Sequence, residues 1–434
     1  MTELRLGPAA RDFIWATGIE DTFVPQTKPG QRGLDEYQLM GHYEHWREDL
    51  ALLRDLGVKA VRWGVPWYRV EPIPGEFEWH WVDQVLEYLV KDLGITPIID
   101  LMHYGCPFWL RREFASNDYP AAVASYAGAF ARRYTGLVRW YTPLNEPLVN
   151  ALMCGKRGLW PPYLRGETGY IRIMVQLAKG IRESVKVLKE VDPQAVLVHV
   201  EAVGLSRAAR EDLEALAVDD ARRGYLSYDL LTGRVSPGHP LFLWLVRNGA
   251  SPDDLAQLAA HPIDLDVIGM NFYPQWSTKE LFITPKGKVA YRNIEGAASF
   301  GKLIEDYHDR YKTPIIVTET SAFGPDPVRA AWLEASTRTI KDLRARGVPV
   351  LGYTWFPMMT MIDWRYRFGR GPVEKYRIEL GLYRLADGEG SPRWNPTPLV
   401  AQFRSYVDDP EKSIGDLIQE PELAGGDRGE IASG

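Results

Sequence analysis

Residues 43–65 read YEHWREDLALLRDLGVKAVRWGV, and the change of rhythm inside this stretch decides the fold. Trp46, Leu50, Leu53 and Leu56 recur at i, i+4, i+7 and i+10, which puts one apolar stripe along an amphipathic helix. Gly57 follows directly, where a helix stop favours a residue at ease with left-handed backbone. The next segment, KAVRWGV (59–65), is short and rich in β-branched and aromatic residues, as a buried strand requires. A helix feeding straight into such a strand is part of a repeating βα unit.

The unit recurs along the chain. FIWAT (13–17) precedes the helix just described, and KAVRWGV precedes WVDQVLEYLVKDLG (81–94). TPIIDLM (96–102) precedes YPAAVASYAGAFARRYTG (119–136), and VRWYTPL (138–144) precedes RIMVQLAKGIRESVKVLKEV (172–191). AVLVHVEA (195–202) is followed by REDLEALAVDDARRGYL (210–226), and LDVIGMNFY (265–273) by a stretch ending in FGKLIEDYHDRY (300–311). TPIIVTET (313–320) leads to DPVRAAWLEASTRTIKDLRARG (326–347), and VPVLGYTWF (348–356) closes the series. Each interval has room for a crossover helix, so neighbouring strands can run parallel. Eight such units predict an α/β fold, a single-domain (β/α)8 TIM barrel. A doubly wound open sheet is the competing arrangement, but no Gly-rich phosphate turn follows any strand.

Bulk properties narrow the function classes. The 434 residues are 45% hydrophobic and 25% charged, enough to bury a large core. The net charge of −6 and the lack of an extended Lys/Arg run argue against nucleic acid as a partner. No apolar stretch reaches the ~20 residues of a membrane span, so no membrane partner is expected. Cys106 and Cys154 are too few for a disulfide framework, and MTELRLGPAA lacks a signal-peptide core; a cytoplasmic location is expected. The barrel is expected over residues 1–407, with an acidic, poorly ordered tail over 408–434.

In such a barrel, polar residues at the C-terminal strand ends carry the chemistry. In chain order these are Arg62, His103, Asn145 with Glu146, Glu201, Asn271 with Tyr273, Glu319, and Trp355 followed by Asp363. Glu146 and Glu319 end the fourth and seventh strands, so closure can bring them to opposite sides of one cleft. Glycoside cleavage needs such a pair, one acid to protonate the leaving oxygen and one carboxylate to attack or to activate water. Any single Glu is more often a surface or salt-bridged carboxylate; two of them inside polar clusters after apolar strands shift that balance. Arg62 in the barrel mouth needs an anion, and Glu319 is a candidate. His103 could be a satisfied core histidine or a ligand for a sugar hydroxyl. Glu201 lacks polar company and reads as barrel-rim polarity. No H-x-H or H-E-x-x-H pattern favours metal chemistry, and no cofactor is implied.

These residues resemble the segments of glycoside hydrolase family 1, the β-glucosidase-like enzymes, in order from about Phe13 to Leu385. GHYEHWREDLALLRDLGVKAVRWGVPWYRVEP is similar to the family's approach to its second strand, with Arg62 as the active-site arginine. LMHYGCPFWL resembles its His-Trp-x-x-Pro segment, with His103 binding a hydroxyl and Tyr104 replacing Trp on the substrate side. YTPLNEP resembles Thr-x-Asn-Glu-Pro, implying that Asn145 binds the sugar 2-hydroxyl and Glu146 is the acid/base. IGMNFYP places Tyr273 beside the nucleophile, and IVTETSAFG carries Glu319 as that nucleophile, with Thr320 and Ser321 in place of Asn and Gly. GYTWFPMMTMIDW resembles the eighth-strand segment, with Trp355 as a sugar platform and Asp363 and Trp364 contacting the outer hydroxyls.

Two departures fall where the sugar is recognised. The family's Gln after the first strand is missing, with Glu20 its substitute, and Asp363 stands where a longer Glu is usual. The resemblance implies a retaining β-glycosidase acting on a small carbohydrate, most simply β-glucosidase-like. The alternatives are a related enzyme for a mannoside, galactoside, fucoside or arabinoside, or a non-catalytic carbohydrate-binding barrel. The sugar, the aglycone and the oligomeric state stay open at this point.

Overall fold

Eight parallel strands close on themselves in the computed structural model, which describes residues 13–386 and 392–409. They are β1 (Ile14–Gly18), β2 (Ala60–Gly64), β3 (Thr96–Asp100), β4 (Trp140–Thr142), β5 (Val196–Ala202), β6 (Val267–Phe272), β7 (Ile315–Thr320) and β8 (Val350–Trp355). Each pairs with its neighbours in sequence, and β1 pairs in parallel with both β8 and β2, so no open edge remains. The expected barrel is the observed one, and each of its strands falls within a segment read from the sequence except β1, which runs one residue further, to Gly18.

The helices follow the same pattern. His42–Leu56 ends at Gly57, whose φ of 71° is the left-handed stop expected there. Tyr119–Tyr134, Gly166–Val191, Ser299–Tyr311 and Asp326–Ala345 fill the later crossovers. Between β5 and β6 the chain instead makes four shorter helices, Glu214–Arg223, Leu226–Leu231, Phe242–Arg247 and Pro252–Ala260. Leu205–Ala208, Thr278–Ile283 and Val289–Asn293 form a small sheet above the barrel that the sequence reading left unassigned. Pro398–Asp408 adds a last helix, and the expected tail lies from residue 410 onward outside the described residues.

Two buried layers result. Ala16, Ala60, Ile98, Val196, Val198, Val200, Val267 and Ile316 form a cluster of their own, with Ile14, Trp140 and Leu351 packed on it, so every strand contributes to a filled barrel interior. The larger apolar cluster lies between the strands and the helices. Because side chains alternate along a strand, the inward row passing through Ala60 continues at Arg62, and the row through Ile98 continues at Asp100. The interior therefore changes from apolar to charged within one step, at the end of the barrel where the strands finish. Gly64 completes the β2 row: a Cβ there would sit 1.4 Å from Asp21 Oδ2, so a side chain would expel that carboxylate.

Candidate active site

Arg62 organises the cluster. Its guanidinium is wholly buried and donates from Nη1 to Glu319 Oε1 at 2.7 Å and to the Thr318 carbonyl at 3.2 Å. From Nη2 it donates to Asp100 Oδ2 at 2.5 Å and to Asn145 Oδ1 at 3.1 Å. The Thr318 carbonyl is available because β7 slips register against β6 between Val317 and Glu319, an irregularity of the kind that re-aims side chains beside active sites. Thr318 Oγ1 meanwhile donates to Asn271 Oδ1 at 2.7 Å. Removing Arg62 strands two buried carboxyl groups. Arg62→Leu is expected to lower unfolding stability by about 3–5 kcal/mol, read from the shift of the urea midpoint; an unchanged midpoint would deny it this role.

Glu319 receives a second hydrogen bond, from Tyr273 Oη to Oε2 at 2.7 Å. Glu146 sits across the same network with different company: Asn271 Nδ2 donates to its Oε1 at 2.9 Å and Tyr104 Oη donates to its Oε2 in a short contact. Burial raises the Glu146 pKa first and the Glu319 charge second, against the hydrogen bonds from Tyr104 and Asn271 and the charge of His103, leaving it at about 7. Burial also raises Glu319, but the charges of Arg62 and His103 oppose it. Among the described residues no cation touches Glu146 directly, so of the two carboxyl groups Glu319 ionises first.

Glu146 and Tyr104 are held in backbone that bulky residues seldom adopt, with φ of 45° and 82°. Glu146 is the N-cap of the short helix Pro147–Asn150, and Glu201 on β5 accepts the Leu148 N–H at 3.1 Å, the Ala202 N–H at 3.0 Å and the Ser227 hydroxyl at 2.7 Å. Glu201 is therefore not rim polarity, as its sequence context suggested. It is wholly buried and anchors the turn that carries Glu146.

His103 lies 2.8 Å from Asp21 Oδ1, 3.4 Å from Asp100 Oδ2 and 3.8 Å from Glu20 Oε1. Burial alone would lower its pKa, but Asp21, Asp100 and Glu20 more than offset that and raise it well above the usual value. Asn145 Nδ2 is 2.9 Å from His103 Nε2, so protonating that nitrogen would break the contact. Asp21, Asp100 and His103 offer possible ligand atoms within 4.8 Å of one another. The permanent charge of Arg62 already lies against Asp100, which works against a divalent ion there.

Three expected residues stand differently. Trp355 is fully buried and its indole N–H is donated to the Leu380 carbonyl at 3.0 Å, so it offers no free ring face and is not a sugar platform in this structure. Asp363 does not reach into the cluster. It caps the turn Trp364–Arg367, accepting from Arg365 N at 2.8 Å and Arg365 Nε at 2.7 Å, and lines a separate groove of about 400 Å³ with Arg365, Lys375 and Tyr376. Tyr104, assigned to the substrate, instead binds Glu146. Trp364 does approach the site, its ring edge-on to Tyr104 at 5.5 Å and to Trp160 at 5.0 Å.

Glu20 keeps its place beside His103, with Thr22 N donating to Oε1 at 3.0 Å. Behind it stands Glu36, which sequence reading missed: wholly buried, accepting the Ile362 N–H at 2.9 Å on Oε2 while Oε1 has no hydrogen-bond partner among the described residues. Burial, then the charge of Glu20, push its pKa well up. Its position in LDEYQL, at the start of a four-residue helix, carries no local signal of a buried acid.

A closed (β/α)8 barrel with two buried carboxyl groups of unequal proton affinity at its strand ends has the groups that glycoside cleavage requires. The description of Glycosyl hydrolase family 1 matches residues 16–223, a stretch that holds Arg62, His103 and Glu146 but ends before Glu319. β-Glucosidase A of Thermotoga maritima is 23% identical over 356 residues, covering 74% of this chain and 78% of the relative. The bifunctional β-D-glucosidase/β-D-fucosidase of Bifidobacterium breve is 26% identical over 407 residues, covering 76% and 81%. In fold, the Thermotoga maritima family 1 β-glucosidase solved with isofagomine lactam superposes with a TM-score of 0.78 at 19% identity, over 91% of this chain and 97% of that one. The match over residues 16–223, these relatives and the shared fold are consistent with a divergent member of glycosyl hydrolase family 1.

Proposed function

We propose that this protein hydrolyses β-linked glycosides of small sugars by double displacement, with Glu319 as nucleophile and Glu146 as acid and then base. The observation that carries this reading is the unequal support of the two carboxyl groups: Glu319 rests on Arg62 and Tyr273, whereas Glu146 has only neutral donors among the described residues and faces the Glu319 charge. Glu319 attacks the anomeric carbon as the bond to the leaving oxygen breaks, and Glu146 gives that oxygen its proton. Once Glu319 is esterified its charge is gone, the Glu146 pKa falls, and Glu146 takes a proton from the water that releases the sugar.

The pH dependence follows from the signs. Activity needs Glu319 ionised and Glu146 protonated, so kcat/KM should fall on the acid side with Glu319 and on the alkaline side near pH 7 with Glu146. A profile that keeps rising through neutral pH would take Glu146 out of the acid role.

The sugar is read by Asn145, His103 and Glu20, with Trp364 near by, and a β-glucoside is the simplest substrate. A β-D-fucoside, which lacks the 6-hydroxyl, is the second reading, favoured by Asp363 being held on Arg365 instead of facing the cluster. The relative from Bifidobacterium breve is named for both sugars. Hydrolysis of a panel of aryl β-glycosides tests this directly, and binding without cleavage of any member would replace it with a carbohydrate-binding barrel. A cytoplasmic setting goes with this reading, supported by the free, buried thiols of Cys106 and Cys154; no helix among the described residues is long and apolar enough to cross a membrane.

A further inference from the structure

We propose that Tyr104 is a positioning residue for Glu146, which fixes where the acid's proton points and helps to set the pH at which it is lost. This rests on Glu146 being the proton donor. Arg62 can only donate. Its Nη2 faces Asn145 Oδ1 at 3.1 Å, so the amide must turn its Nδ2 the other way, toward Tyr104 Oη at 3.2 Å. An amide N–H can only donate, so the Tyr104 oxygen accepts there and directs its own hydrogen onward to Glu146 Oε2. A permanent charge thus sets the polarity of the chain from Arg62 through Asn145 and Tyr104 to Glu146.

The other oxygen is constrained in the same way. Asn271 holds the Thr318 hydroxyl on Oδ1 at 2.7 Å and donates from Nδ2 to Glu146 Oε1 at 2.9 Å. Both Glu146 oxygens therefore face donors on the protein side. When the carboxyl is protonated, its hydrogen has no acceptor among these partners and is turned out toward a bound leaving oxygen. Tyr104 is itself held in place, its backbone in the left-handed region and its ring packed between His103, Trp160 and Trp364. The titratable and charged groups facing Glu146 and Tyr104 are Glu20 after β1, His103 after β3, Glu201 on β5, Tyr273 after β6 and Glu319 on β7, with Arg62 acting through Asn145.

Tyr104→Phe removes one oxygen and leaves the ring. Losing a donor to the carboxylate destabilises the anion, so the alkaline limb of kcat/KM should move up by about one pH unit, while the acid limb, set by Glu319, stays. Tyr104→Trp keeps an aromatic N–H donor and should leave the alkaline limb closer to wild type than Phe does. An unmoved alkaline limb in Tyr104→Phe, or equal displacement by Phe and Trp, would overturn the proposal. Glu146→Gly, assayed with azide alongside, separates the two levels: failure of azide to react there sinks the acid/base reading itself, whereas normal reaction with an unmoved Tyr104→Phe profile sinks only the role of Tyr104.

Discussion

Glu319→Gly should lose about 10⁴-fold or more of its activity on an activated aryl β-glycoside, because a double displacement without its nucleophile has no first step. Tyr273 and Arg62 both direct donors at the position of the missing carboxylate, so they are arranged to receive an anion. Added azide should occupy that space, attack the anomeric carbon from the same side, and expel the phenol with the proton from Glu146. The product is a glycosyl azide of inverted configuration. A mutant that keeps substantial activity, or an azide product of retained configuration, would remove Glu319 from the nucleophile role.

Glu146→Gly should behave in the opposite way, and its effect should depend on the leaving group. For a poor leaving group the loss should be about 10³-fold, within the range general-acid catalysis contributes. For a dinitrophenyl glycoside, which departs without a proton, formation of the glycosyl-enzyme should be nearly unaffected and its hydrolysis slow. Azide needs no base, so it should intercept that intermediate and give a product of retained configuration. Equal losses for good and poor leaving groups would point to a structural role for Glu146.

The two mutants probe one network from its two ends. Arg62 touches Glu319 directly and reaches Glu146 at one remove or more, through Asn145 with Tyr104 and through Thr318 with Asn271. In the proposed mechanism, that difference in distance from a permanent charge suits one carboxyl group to act as nucleophile and the other as acid.

Much of this was legible in the chain, and for a consistent reason. The apolar stripe of Trp46, Leu50, Leu53 and Leu56 and the strand AVRWG that follows it are local patterns, repeated until only a closed barrel accommodates them. Strand ends then nominated Arg62, Asn145, Glu146, Tyr273 and Glu319, and the structure brings all five into one network. Asp363 shows where that logic fails. At the start of a turn, an Asp serves its own backbone as readily as a ligand, and here it caps the turn and holds Arg365.

What the residue order alone carried was the barrel, its strand ends and the types of group gathered there, because helix and strand periodicity are written within a few neighbouring residues. The direction of each hydrogen bond was decided only by folding. The slip in β7 at Thr318, the donation from Tyr104 to Glu146, the anchoring by Glu201 and the burial of Glu36 against Ile362 each join residues far apart in the chain. Whether an acid holds its proton depends on its solvent exposure and on the charges within a few ångströms, and those are properties of the packed barrel.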